Sequence, residues 1–405
     1  MQCPTLFRQT RILDAVAQTD YLTDVLLATD GKFHVGGGQA QIPEGTEISD
    51  LTGLVLGTGL VDLYSTSGEP GFEQRETLAS LAEAARRGGF AKVGILPHTQ
   101  PAIDDIAALE FWRSQKHLPF MPWGAITKGC EGKQIADLAE LAEFVVGFTD
   151  AKPMANLALV RRAMEYIKPL GKPMMLMPQD LSLVASGVMR EGKWSLQYGL
   201  SGIPDIAETS ALAALLELVR LTHTPTHFMR ISSARSVELI AQAKADGLPV
   251  TASVPWLNLW LEDRDLHSYD PNLRLIPALG NEADRRALIA GVKSGAIDAI
   301  AVDHTPYTYE EKTVAFEVAP AGAIGLELAL PMLWQQLVET GLLTGLELWQ
   351  AMSSRPARCL NLNSDQLSLQ TLFDPNQSWT VTASAIASLS HNTPCLGKVA
   401  IGKVI

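Results

Sequence analysis

With 405 residues, 47% hydrophobic and 19% charged side chains, the chain is too apolar and too sparsely charged to be disordered, and long enough to bury a substantial core. Thirty-two Lys and Arg against forty-four Asp and Glu leave a formal charge of -12, which disfavours nucleic acid and anionic lipid as partners. The cysteines at 3, 130, 359 and 395 share no C-x-x-C spacing, so neither a zinc knuckle nor a disulfide framework is expected, only reduced, packed thiols.

In chain order, the opening MQCPTLFRQTRILDAVAQTD has polar side chains every few positions and no apolar secretory core. The most apolar stretches, ALAALLELVRL and GAIGLELALPMLW, are broken by Glu or Arg well short of the ~20 residues of a bilayer span. The expectation is a cytoplasmic protein without a membrane segment. Residues 1–58 alternate in short segments such as YLTDVLLATDGKFHV, punctuated by GGGQAQIPEG, which predicts hairpins. The Gly run lacks a following Lys-Ser/Thr and opens no helix, so it is taken as a turn rather than a phosphate loop.

From residue 59, eight short apolar runs alternate with amphipathic stretches: 59–65, 92–98, 120–126, 145–150, 173–179, 226–232, 248–255 and 296–304. The stretches between them, such as ETLASLAEAARRGG and EADRRALIAGVKSG, carry helical periodicity and several close on Gly. Eight strand–helix units with strands apolar on both faces predict an α/β fold, a parallel (β/α)8 TIM-type barrel over 59–359. Residues 1–58 and 360–405, both β-like, are expected to form one small β-rich domain built from both termini.

Chemistry in such barrels sits at the C-terminal strand ends. Those positions are Tyr64, Thr66, His98, Asp150, Met177, Arg230, Leu257, Asn258, Asp303 and His304. None of the eight histidines stands at metal-ligand spacing. His223 and His227 are four apart, but Pro225 lies between them and the segment runs into a strand, so they are taken as unrelated.

The stretches GLVDLYSTSGEPGFEQRETLASLAEAARRGGF, VGILPHTQP, GFTDAKP, SGIPDIAE, SVELIAQAKADGLPVTA, AVDHTPYTYEEK, GAIGLELALP, SRPAR and SHNTPCLGK resemble those of dihydroorotases, in the same order. The resemblance to this family of barrel amidohydrolases runs from about residue 50 to near the C-terminus. It implies a pyrimidine-pathway enzyme that interconverts carbamoyl aspartate and dihydroorotate, using zinc-bound hydroxide and a strand-eight Asp that moves the proton.

Residue by residue, the implied metal ligands are absent. The first-strand His-x-His falls on Tyr64 and Thr66, the strand-five His on Met177 and the strand-six His on Arg230. Asp150, the family's bridging Asp, and Asp303, its ligand and proton shuttle, remain. Gly68 stands where a substrate-binding Arg is expected, His98 replaces an Asn, and the strand-seven histidine pair reads Leu257 and Asn258. Of the implied substrate binders only His304 survives.

Two carboxylates without imidazoles do not hold a zinc pair, so no metal or other cofactor is expected. A guanidinium at 230 repels a dication and pairs instead with Asp150 or Asp303, unless it points to solvent. The alternative for Asp150 and Asp303 is a pair of solvated remnants that raise one another's pKa unless Arg230 or Lys152 neutralises them. His304 reads equally as a structural histidine and Met177 as core filler. The resemblance thus implies a degenerate member supporting aspartate transcarbamoylase as a homo-oligomer. The alternative is an active dihydroorotase, or a hydrolase of another cyclic amide, using an atypical site. Tyr64 and Thr66 offer hydroxyls for metal-free acid–base chemistry, but the sequence places no activated nucleophile beside them.

Overall fold

The computed structural model describes residues 3–36, 42–49, 52–115, 117–363 and 367–405. The predicted Gly-rich turn lies mostly outside the described residues. Barrel strands are Leu60–Ser65, Phe90–Ile95, Phe120–Pro122, Met174–Leu176, Thr226–Phe228, Val250–Pro255 and Ala299–Ala301. The fourth position is held by two parallel bridges, Gly124 with Phe148 and Phe148 with Met174, which join the first three strands to the last four. On the other side, strand eight meets strand one through single bonds. Val302 N donates to Asp62 Oδ1 (2.7 Å) and Thr66 N to the His304 carbonyl (2.7 Å).

The strands are apolar on both faces because both are covered. Inward side chains, Leu63, Tyr64, Met175, Met177, Met229, Ala299 and Ala301 among them, fill the barrel with Ala357 and Cys359 of the Ser354–Cys359 helix. Outward ones pack on the helices. The Leu78–Arg87 helix shows why the pattern was legible: Thr77 caps it, Leu78, Leu81, Ala84 and Ala85 form its buried stripe, and Gly88 ends it. Its first turn also ties down the mouth, because Leu78 N donates to the Glu69 carboxylate (2.9 Å).

Strands from both termini share one seven-stranded sheet. Its order is Val399–Val404, Leu369–Thr380, Val55–Thr58, Thr5–Asp14, Thr19–Leu27 and Phe33–Val35, with Glu47–Ser49 paired to Thr5–Asp14. Val55–Thr58 is followed after one residue by the first barrel strand. The tail departs from a uniformly β-like reading: residues 381–398 contain no strand. Instead their polar side chains serve the barrel loops, Ser390 Oγ donating to the Arg75 carbonyl and Asn392 Nδ2 to the Thr305 carbonyl. Among the described residues no helix is long and apolar enough to cross a membrane.

Candidate functional site

At the barrel mouth Arg230 and Asp303 face each other from the ends of strands six and eight. Nε donates to Oδ2 at 2.8 Å and Nη2 to Oδ1 at 2.7 Å, a two-pronged pair with each side chain 11% exposed. Both backbones are left-handed, φ 59° and 54°, a conformation that is costly for side-chain-bearing residues and recurs at functional or vestigial sites. The remaining nitrogen, Nη1, reaches the Ala151 carbonyl (3.4 Å) and the Met177 sulfur (3.6 Å). Burial favours the uncharged guanidine, but the Asp303 carboxylate more than offsets it and holds Arg230 above its ordinary pKa.

Of the two carboxylates open to Arg230, Asp303 takes it. Asp150 is committed elsewhere: Oδ1 accepts from the Ile126 and Thr127 N–H groups (2.9 Å each) and Oδ2 from the Thr127 hydroxyl (2.5 Å). Burial, rather than Asp303, raises its pKa, and the contacts with Thr127, Ile126 and Lys152 oppose that rise. The two acids are therefore largely buried and separately bonded rather than solvated remnants.

Tyr64 sits inside the barrel. Its hydroxyl accepts from Arg230 N (3.1 Å) and bonds Ser253 Oγ (3.1 Å), which in turn meets His227 Nε2 (2.8 Å), while His227 Nδ1 meets Thr251 Oγ1 (2.8 Å). Burial pushes the phenol above its ordinary range and His227 down to about 3, so neither group is a base with a free proton site. Thr66 is half-buried and joins only through its backbone. Among the described residues no carboxylate or imidazole bonds the Tyr64 hydroxyl directly.

His304, 1% exposed, accepts the Gly325 N–H at Nδ1 (3.2 Å) and points Nε2 at Glu76 Oε2 (3.5 Å). Glu76 also accepts from the Ser80 and Ser388 hydroxyls and from Leu389 N (3.1 Å). Burial pushes this carboxyl up, but His304 and the two hydroxyls prevail and hold it low. His98 has a buried Nδ1 without a partner, and burial together with the Arg230 and Lys152 charges drives it down to about 3.

Leu257 and Asn258 are buried in a short helix beside Asp303. The cavity there measures about 20 Å³, the room of one water. At Gly68 a Cβ would lie 2.3 Å from the Glu76 carbonyl, so the loop has closed over the position of the expected Arg.

These residues do not fit a zinc pair. A buried phenol, a thioether and a guanidinium stand at imidazole positions, Asp303 is paired with Arg230, and both Asp150 oxygens already accept hydrogen bonds. Among the described residues no three His, Cys, Asp or Glu side chains are placed to hold a metal ion. Glu76, Thr127, His227 and Ser253 were not singled out as site residues by sequence. Only the alternation of VTASVP hints that Ser253 faces inward.

A family profile described as dihydro-orotase-like matches residues 53–236. A probable dihydroorotase-like protein of Synechocystis sp. is 43% identical, covering 98% of each chain. A dihydroorotase of Geobacter sp. is 38% identical over 99% of this chain and 96% of its own. Among solved structures, the L-hydantoinase (dihydropyrimidinase) of Arthrobacter aurescens superposes with a TM-score of 0.83 at 20% identity, covering 100% of this chain and 94% of its own. The dihydropyrimidinase of Brevibacillus agri gives 0.80 at 18%, covering 99% and 93%. At these identities the two structures show the fold alone.

Proposed function

Since the chain belongs to the dihydroorotase-like family, we propose that it is a non-catalytic member serving de novo pyrimidine biosynthesis as a homo-oligomeric scaffold for aspartate transcarbamoylase. One observation carries the reading: the strand-six position that the family gives to a metal-binding His holds Arg230, bonded twice to the carboxylate that would shuttle the proton. A guanidinium does not release its proton, and it occupies both oxygens of Asp303.

The departures from the family fall on chemistry, whereas the retained motifs hold the framework. Glu69 of the E-P-G motif caps the first helix, and Asn392 of N-T-P clasps the strand-eight loop through Tyr307 N (3.0 Å) and the Thr305 carbonyl (2.9 Å). A chain used for its shape keeps the second set without the first.

The test is co-purification with aspartate transcarbamoylase. The two are expected to elute together, and withdrawing this chain to lower the transcarbamoylase's thermal midpoint. Separate elution with an unchanged midpoint overturns the scaffold. The competing reading, an active dihydroorotase or other cyclic-amide hydrolase with an atypical site, draws on relatives at 36–38% identity that are named dihydroorotase. It requires turnover of dihydroorotate or another cyclic amide by the purified chain.

A further inference from the structure

A pocket of about 620 Å³ opens at the rim of the mouth and is lined by neither Arg230 nor Asp303. Four segments meet there: Gln74 after strand one, Asn272 after strand seven, the Tyr307–Thr313 stretch after strand eight, and the C-terminal crossing near His391. Its walls are braced. Asn392 ties Tyr307 N, the Thr305 carbonyl and the Gly322 carbonyl together, and Arg75 bonds Glu311 while its guanidinium lies 4.9 Å over the Tyr307 ring.

Lys312 is the unusual member of this wall. It is 7% exposed, yet among the described residues no carboxylate lies within 4.0 Å of its Nζ. The ammonium donates to the Pro271 carbonyl (3.0 Å) and the Pro320 carbonyl (2.7 Å), which leaves one of its three N–H groups unspent. Burial lowers it to about 8, with the Arg274 charge adding to that and Asp270 and Glu311 opposing. An unpaired buried cation is costly in a chain of net charge -12, where acids are plentiful and one neighbour, Glu311, is already spent on Arg75. The Tyr307 ring carries Arg75 on one side and Lys312 at 5.3 Å, whereas the Tyr309 ring is 79% exposed and free to stack.

We propose that this pocket binds a small planar carboxylate, the anion meeting Lys312 and the ring lying on Tyr309. A concave site with an unpaired cation beside an open aromatic face selects a flat monoanion over its neutral amide. The site is independent of whether the barrel mouth is catalytic.

The experiment is calorimetric titration of the full chain with benzoate as probe and benzamide as its neutral counterpart. Benzoate is expected to bind saturably and at least about tenfold more tightly than benzamide. Lys312→Met is expected to remove at least about tenfold of that affinity and Tyr309→Ala at least about threefold. Equal affinities for the two probes, absence of saturable benzoate binding, or affinity unchanged in Tyr309→Ala would each overturn the proposal. Lys312 also braces two carbonyls, so circular dichroism checks that Lys312→Met folds. If it does not, the Tyr309→Ala and benzamide comparisons decide.

Discussion

A guanidinium buried against one carboxylate is stable only as a pair. Removing either partner leaves a charge in a site where each side chain is only 11% exposed, so that it is poorly rehydrated. Arg230→Met and Asp303→Asn are each expected to cost about 3–5 kcal/mol in urea unfolding, whereas Arg230→Met with Asp303→Leu returns to within about 1 kcal/mol of the parent. Additive losses in the double variant would contradict a coupled pair. That a carboxylate would claim Arg230 was legible from residue type. Which one was not, because the three donors that occupy Asp150 lie more than twenty residues away along the chain.

The same scale holds a pH prediction. Burial pushes Asp62 from 3.8 up to about 7, and the bonds from Ser65 and Val302 N limit the rise. Between these values the folded chain keeps a proton that the unfolded chain has released. Its stabilising contribution is full below about pH 4 and is lost as pH climbs through about 7. Relative to Asp62→Asn, the parent is therefore expected to lose thermal midpoint from about pH 4 to about pH 7 and to level off above that. Parallel profiles for the two would sink this account of strand closure.

Among the elements, the barrel strands were legible because a strand covered on both faces must be a continuous apolar run, as KVGILPH and AIDAIAVDH are. The helices were legible from their 3.6-residue period. The loops were not, since their partners are chosen across long separations that leave no local pattern. Glu76 anchors Ser388 and Leu389, and Asn392 holds Tyr307, without any periodic trace in sequence. Gly68 shows how closely the strand-one loop is folded, because any side chain there meets the Glu76 backbone. Gly68→Ala is expected to destabilise by about 1–3 kcal/mol, read as a lower urea midpoint. An unchanged midpoint would mean that the loop has room to reopen.

For the whole molecule, the proposed reading is that a retained framework has parted from the chemistry. The barrel, the two-ended sheet and the motifs that brace the mouth are those of a family of hydrolases, while the mouth itself is held by an internal ion pair. Resemblance revealed the framework, and the absent imidazoles prompted the proposal, but the close packing of the mouth required the three-dimensional arrangement of Gly68, Glu76 and Asn258. The most direct test is a zinc count on the purified chain, made alongside a dihydroorotate turnover assay on the same sample. The ion-pair account predicts fewer than about 0.1 zinc per chain and no turnover above background. One or two zinc ions per chain, with turnover abolished by a chelator, would contradict it.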